Sequence, residues 1–128
     1  MSGNRILVVE DNERNLKLVR DVLQYAGYDV IAASSGEQGV ALAKERVPDL
    51  VLMDLQLPTM DGAEALRILR DDPLTREIPV VAVTAFAMKD DRERALDAGF
   101  DSYIEKPISV RALPDQVRGF LDRKEQPG

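Results

Sequence analysis

Pro48-Asp49-Leu50-Val51-Leu52-Met53-Asp54-Leu55-Gln56-Leu57-Pro58 is the stretch whose reading fixes the architecture. Leu50 to Met53 are all apolar, so this strand has no polar face to turn toward water. A strand of that kind is buried on both sides, as in a parallel sheet covered by helices. The run stops on an acid, Asp54, and a loop with Pro58 and Gly62 follows from Leu55 to Gly62. Two more runs share this character, Ile6-Leu7-Val8-Val9 ending at Glu10-Asp11 and Pro79-Val80-Val81-Ala82-Val83 ending at Thr84, and Tyr28 to Ala33, with Asp29 near its start, reads as a further strand. A shorter fifth run, Asp101 to Glu105, ends at Lys106-Pro107.

Between the runs, apolar residues recur at helical spacing. Leu16, Val19, Leu23 and Ala26 predict a first helix, with Asn12 as N-cap and Gly27 as its stop. Ser35 with Gln38 three residues later predicts a capping box, and Val40, Ala43 and Val47 share one face of the second helix, ending before Pro48. Ala63 to Arg70 predicts a third helix with Leu66, Ile68 and Leu69 in the core, and Met88 to Ala98 a charged fourth helix closed by Gly99. Ser109 is placed to cap a fifth helix running to about Arg123, with Pro114 kinking its first turn or delaying its start. Fivefold strand-helix alternation with right-handed crossovers predicts an α/β fold: a five-stranded parallel sheet, doubly wound by five helices.

With 128 residues, one domain over residues 1–128 is expected, with a core of about 4–123 and a frayed tail at 124–128. A net charge of −6 argues against a nucleic-acid partner. The absence of Cys and His excludes thiol catalysis, zinc thiolate sites and a Ser-His-Asp triad. With no signal-peptide pattern and no long apolar run, a cytoplasmic protein without membrane insertion is expected.

In an open parallel sheet, ligands bind beyond the carboxyl ends of the strands. There the chain offers Glu10, Asp11, Asp54, Thr84 and Lys106. Each alone has a plainer reading: an acid after a strand is a common turn or N-cap residue, Thr84 an ordinary strand end, Lys106 a surface lysine. Together, three carboxylates repel one another, and a divalent cation relieves that repulsion. An all-oxygen donor set suits Mg²⁺. A lysine and a hydroxyl beside such a cation suit a phosphoryl group.

The motifs Ile6-Leu7-Val8-Val9-Glu10-Asp11-Asn12, Pro48 to Pro58, Met60-Asp61-Gly62, Pro79 to Ala85 and Tyr103-Ile104-Glu105-Lys106-Pro107 resemble, in this order and spacing, the receiver domains of two-component response regulators. The resemblance covers about residues 4–123. The stretches Glu10 to Glu13, Thr84 to Lys89 and Lys106 to Val110 look most like the family's single-domain members.

The resemblance implies a phosphoacceptor at Asp54 and Mg²⁺ held by Asp11, Asp54, the Gln56 backbone carbonyl and, through water, Glu10, with Mn²⁺ able to substitute. It implies that Lys106, the Thr84 hydroxyl and the Ala85 N–H bind the phosphoryl oxygens, and that Lys106-Pro107 is cis. It implies a signalling phosphoacceptor, not an enzyme on other substrates. The implied partners are a sensor histidine kinase or phosphotransfer protein and a downstream protein, the chain being a monomer or weak dimer.

Thr84 and Tyr103 would be the switch pair, and the fourth helix, fifth strand and fifth helix the output face, with Lys89, Arg92, Arg94 and Tyr103 on it. Taken alone, Tyr103 is a half-buried strand aromatic and those charges a solvated helix face. Phe86, two residues beyond Thr84, departs from a commonly polar position and is expected to obstruct the hydrolytic water, prolonging phosphate lifetime relative to Phe86→Glu. A haloacid-dehalogenase-type phosphatase would need an acid at Gln56, and a flavodoxin-like binder a Ser/Thr/Gly-rich loop in place of Glu10-Asp11-Asn12. A phosphate-independent adaptor remains the alternative.

Overall fold

The computed structural model describes residues 4–85 and 89–125; Phe86 and Met88, the side chain of Lys89 and the end of the tail lie outside the described residues. The elements run β1 (Arg5–Val9), α1 (Glu13–Tyr25), β2 (Asp29–Ala33), α2 (Gly36–Arg46), β3 (Leu50–Asp54), α3 (Gly62–Asp71), β4 (Val80–Thr84), α4 (Lys89–Asp97), β5 (Ser102–Glu105) and α5 (Leu113–Glu125). All strand pairs are parallel, in the order β2-β1-β3-β4-β5. From β1 the chain steps outward to β2, then returns to β3 and proceeds the other way. The loops after β1 and β3 therefore diverge, and a crevice opens between two neighbouring strands.

The unbroken apolar run within each central strand has the expected consequence. Leu7, Val9, Val51, Met53, Val80 and Ala82 face one way and pack under α2, α3 and α4. Ile6, Val8, Leu50, Leu52, Val81 and Val83 face the other way and pack under α1 and α5, against Val19, Leu23, Leu113, Val117 and Leu121. Alternate side chains of each strand thus feed two separate cores.

Helix starts follow local chemistry. The Asn12 side chain accepts from Asn15 N–H (3.0 Å), Ser35 from Gln38 N–H (3.1 Å) and Asp61 from Glu64 N–H (2.9 Å), each satisfying a donor the first turn leaves open. Gly27 and Gly99 take the positive φ, 100° and 110°, that ends α1 and α4.

Four expectations need correction. Gln38 closes its box on Ser34, accepting from that residue's N–H (2.8 Å) and hydroxyl (3.1 Å), not on the cap itself. Val47 does not extend the buried face of α2; Pro48 cannot continue the helix, so Val47 becomes its C-cap in the left-handed region (φ 41°) and is exposed. Ile68 is only partly buried, its place in the fully buried stripe of α3 taken by Ala65. Ser109 does not cap α5 itself but a preceding turn, through Ala112 N–H (3.2 Å); the helix begins at Leu113, with Pro114 delaying its start as expected, and runs to Glu125.

Candidate functional site

Four strand ends meet at the carboxyl edge beside the crevice. Glu10 follows β1, Asp54 closes β3, Thr84 closes β4 and Lys106 follows β5. Lys106 Nζ reaches Asp54 Oδ2 at 2.8 Å and Glu10 Oε2 at 3.2 Å, one ammonium tying two carboxylates. Its backbone is held in turn: Lys106 N–H donates to Thr84 O (2.8 Å), and the Lys106-Pro107 bond is cis, as expected. The other Asp54 oxygen, Oδ1, accepts from Gln56 N–H (2.9 Å), so both oxygens of this carboxylate are engaged. Carboxylate oxygens of Glu10, Asp11 and Asp54 lie within 4.8 Å of one another. Asp54 and Glu10 are 3% and 5% exposed, whereas Asp11 is open to solvent.

Burying two acids side by side has an electrostatic cost. Burial, then a hydrogen bond to Asp54 and the negative charge of Asp54, push the Glu10 carboxyl from 4.5 up to about 7, against the pull of Lys106 and Asn15. For Lys106, partial burial works to lower the ammonium, but hydrogen bonding and charge from Asp54 and then Glu10 outweigh it and hold it above its ordinary value. The donor set is therefore short of positive charge, oxygen-only and convergent, which fits a small hard divalent cation. Lys106 at the same site supplies a donor for a tetrahedral anion.

The sequence-predicted residues fall as follows. Glu10, Asp11, Asp54 and Lys106 form one cluster, and Gln56 reaches it through its backbone. Thr84 is buried at the end of the neighbouring strand, next to Val83, which stands opposite Asp54; Ala85 beyond it is exposed. Tyr103 pairs with Ala82 and is half-buried against the core under α2, α3 and α4. Arg92 Nη1 donates to its hydroxyl at 3.2 Å, and the guanidinium lies 5.5 Å from the ring centroid.

Sequence reasoning missed two supports. Asn15 Nδ2 donates to Glu10 Oε1 (3.3 Å), one helical turn beyond the Asn12 cap. At Gly62 a Cβ would stand 2.6 Å from Asp54 O, so only glycine lets the loop close onto the end of β3. The Met60-Asp61-Gly62 triplet signals the second; nothing local signals the first.

The family model for the response regulator receiver domain matches residues 6–118. The chain belongs to this family. The receiver is 48% identical over 116 residues to the polar-differentiation response regulator DivK of Brucella ovis, covering 91% of this chain and 94% of that protein. The same regulator from Brucella anthropi is 47% identical over 116 residues, with the same coverage of 91% and 94%. Among solved structures, the receiver resembles a CheY-like response regulator receiver domain protein from Methanospirillum hungatei (TM-score 0.89, 32% identity, 99% of this chain and 100% of that one). It also resembles the receiver domain of sensor histidine kinase PA1611 from Pseudomonas aeruginosa, solved with a magnesium ion coordinated in its active site cleft (TM-score 0.86, 36% identity, 94% of this chain and 98% of that one).

Proposed function

We propose that this receiver is a single-domain response regulator that takes a phosphoryl group onto Asp54 from a phosphohistidine of a sensor kinase or phosphotransfer protein. It then offers the altered face of α4, β5 and α5 to a partner protein in the cytoplasm. The observation that carries the reading is the ammonium of Lys106 held between Asp54 and Glu10 at the carboxyl edge.

The chemistry follows from the residues. Asp54 attacks phosphorus in line: an O–P bond forms on the carboxylate as the P–N bond breaks, and the imidazole leaves with the electron pair. Gln56 N–H fixes the rotamer of Asp54 through Oδ1. Lys106, already hydrogen-bonded to Oδ2, transfers its donors to the phosphoryl oxygens as charge builds there. The Thr84 hydroxyl and the Ala85 N–H complete the donor set, and burial of Asp54 limits competing water. Asp11, Asp54, the Gln56 carbonyl and, less directly, Glu10 would hold Mg²⁺, which neutralises the acids and the phosphoryl charge. Movement of Thr84 toward the phosphoryl group frees space behind it for Tyr103, whose ring Arg92 caps from α4.

Intact-mass spectrometry after incubation with acetyl phosphate, or with a phosphohistidine donor protein, tests the reading. One added phosphoryl group is expected, lost when Mg²⁺ is withheld and lost in Asp54→Ala. Addition that persists in Asp54→Ala overturns the assignment. No addition from either donor leaves a phosphate-independent adaptor.

A further inference from the structure

The cation ligands proposed above sit on two chain segments: Glu10 and Asp11 just after β1, and Asp54 at the end of β3 with Gln56 in the β3–α3 connection. The start of α2 is wedged between them. At Gly39 a Cβ would stand 2.7 Å from Val9 Cγ2, so the helix backbone presses directly on the last residue of β1. At Gly36 a Cβ would stand 2.8 Å from Met60 O, so the same helix presses on the β3–α3 connection. Between these glycines, Glu37 Oε2 accepts the Thr59 hydroxyl at 2.6 Å. That hydroxyl has one proton; Pro58 O lies 2.7 Å away as its other acceptor, and the charged carboxylate makes the stronger bond. Hydrogen bonding from Thr59 holds the Glu37 carboxyl below its ordinary value. Thr59 itself has φ 62°, a left-handed conformation that a β-branched residue adopts only where its surroundings impose it.

We infer that Glu37 and Thr59 are positioning residues for the cation, their hydrogen bond holding the β3–α3 connection against α2 and so fixing the Gln56 carbonyl relative to the acids of β1. Neither residue touches the cation. Mg²⁺ demands close to ideal octahedral geometry and tolerates little slack in its ligands. Partners one step removed from a metal commonly set its affinity by tenfold or more. The inference rests on the reading of Glu10, Asp11 and Asp54 as a Mg²⁺ site.

The test is calorimetric titration of the metal-free full chain with MgCl₂, above the pH at which Glu10 ionises, for wild type, Thr59→Ala, Glu37→Ala and Glu37→Gln. Amide hydrogen exchange over residues 55–62 without metal accompanies it. Thr59→Ala and Glu37→Ala are expected to weaken binding about tenfold and to speed exchange in this segment but not in β1. Glu37→Gln keeps an acceptor but, without the charge, shares the Thr59 proton with Pro58 O, and is expected to fall between wild type and Glu37→Ala. Unchanged binding by Thr59→Ala overturns the inference. So does weaker binding by Glu37→Ala with unchanged exchange over residues 55–62, which would mean long-range charge and not a tether. If wild type takes up no Mg²⁺, the metal reading fails by itself, and exchange alone decides the tether: faster in Thr59→Ala supports it, unchanged removes it.

Discussion

Glu10 is the residue whose ionisation is most out of keeping with its neighbourhood. A carboxyl lifted from 4.5 to about 7 prefers its neutral form in the folded chain. Its contribution to stability is therefore fully present below pH 4.5 and is lost as pH rises through about 7. Glu10→Gln isolates the effect, because it keeps the shape and removes the titration. In metal-free urea unfolding, the stability of wild type relative to Glu10→Gln should fall as pH rises from 4.5 through about 7. A constant difference would refute the shift. Mg²⁺ held as proposed would need the ionised carboxylates and expel this proton, so its affinity should rise with pH up to about 7; titrations in two buffers of different ionisation enthalpy would count the proton released. At this scale much of the site was legible in the amino-acid order. Glu10, Asp54, Thr84 and Lys106 stand where apolar runs stop, a one-dimensional signal. Asn15 was not legible as a partner of Glu10, because a polar residue on the first turn of a helix is usually a solvated one.

The connections between elements hold more of the precision than the elements do. Gly62 begins α3 directly against the last carbonyl of β3, and the space left would bring a Cβ to 2.6 Å from Asp54 O. A backbone carbonyl at the end of a buried strand cannot swing aside, so Gly62→Ala must push the start of α3 away from Asp54. The expected cost is about 1–3 kcal/mol in chemical unfolding, with slower phosphoryl uptake from acetyl phosphate. Wild-type stability and uptake in that variant would show that the connection has slack. Strand positions and helix caps were readable because they depend on neighbours within a few residues: Asn12 on Asn15, Ser35 on Gln38. The bond from Thr59 to Glu37 was not, because 22 residues separate them and only the folded sheet brings them together. Val47 was misread for a related reason: its helical spacing is correct, but the need to turn into β3 at Pro48 overrides it.

Across the molecule, the two edges of the sheet do different work. At the amino edge, remote from Asp54, Arg70 of α3 donates to Ile78 O (2.6 Å), Arg76 O (3.0 Å) and Gly99 O (3.3 Å) and pairs with Asp101 (2.9 Å). Asp101 also accepts from Val80 N–H (2.7 Å), so one arginine and one aspartate tie α3 to the starts of β4 and β5. Arg70→Ala should cost about 1–3 kcal/mol of unfolding free energy while leaving phosphoryl uptake at Asp54 at the wild-type rate. Loss of uptake in a variant that remains folded would contradict this separation of edges. The strained cap of α2 lies outside the site as well. Val47 is a β-branched residue at φ 41°, 47% exposed, with its N–H already bonded to Ala43 O (2.9 Å). A left-handed L-residue costs about 1–2 kcal/mol, of which glycine, despite its greater freedom when unfolded, would recover about 0.5–1. Val47→Gly should therefore raise the melting temperature with signalling chemistry untouched. In a cell, where proteases sample the unfolded fraction, that exchange would lengthen the lifespan of the protein and so the number of messages each copy carries before it is destroyed.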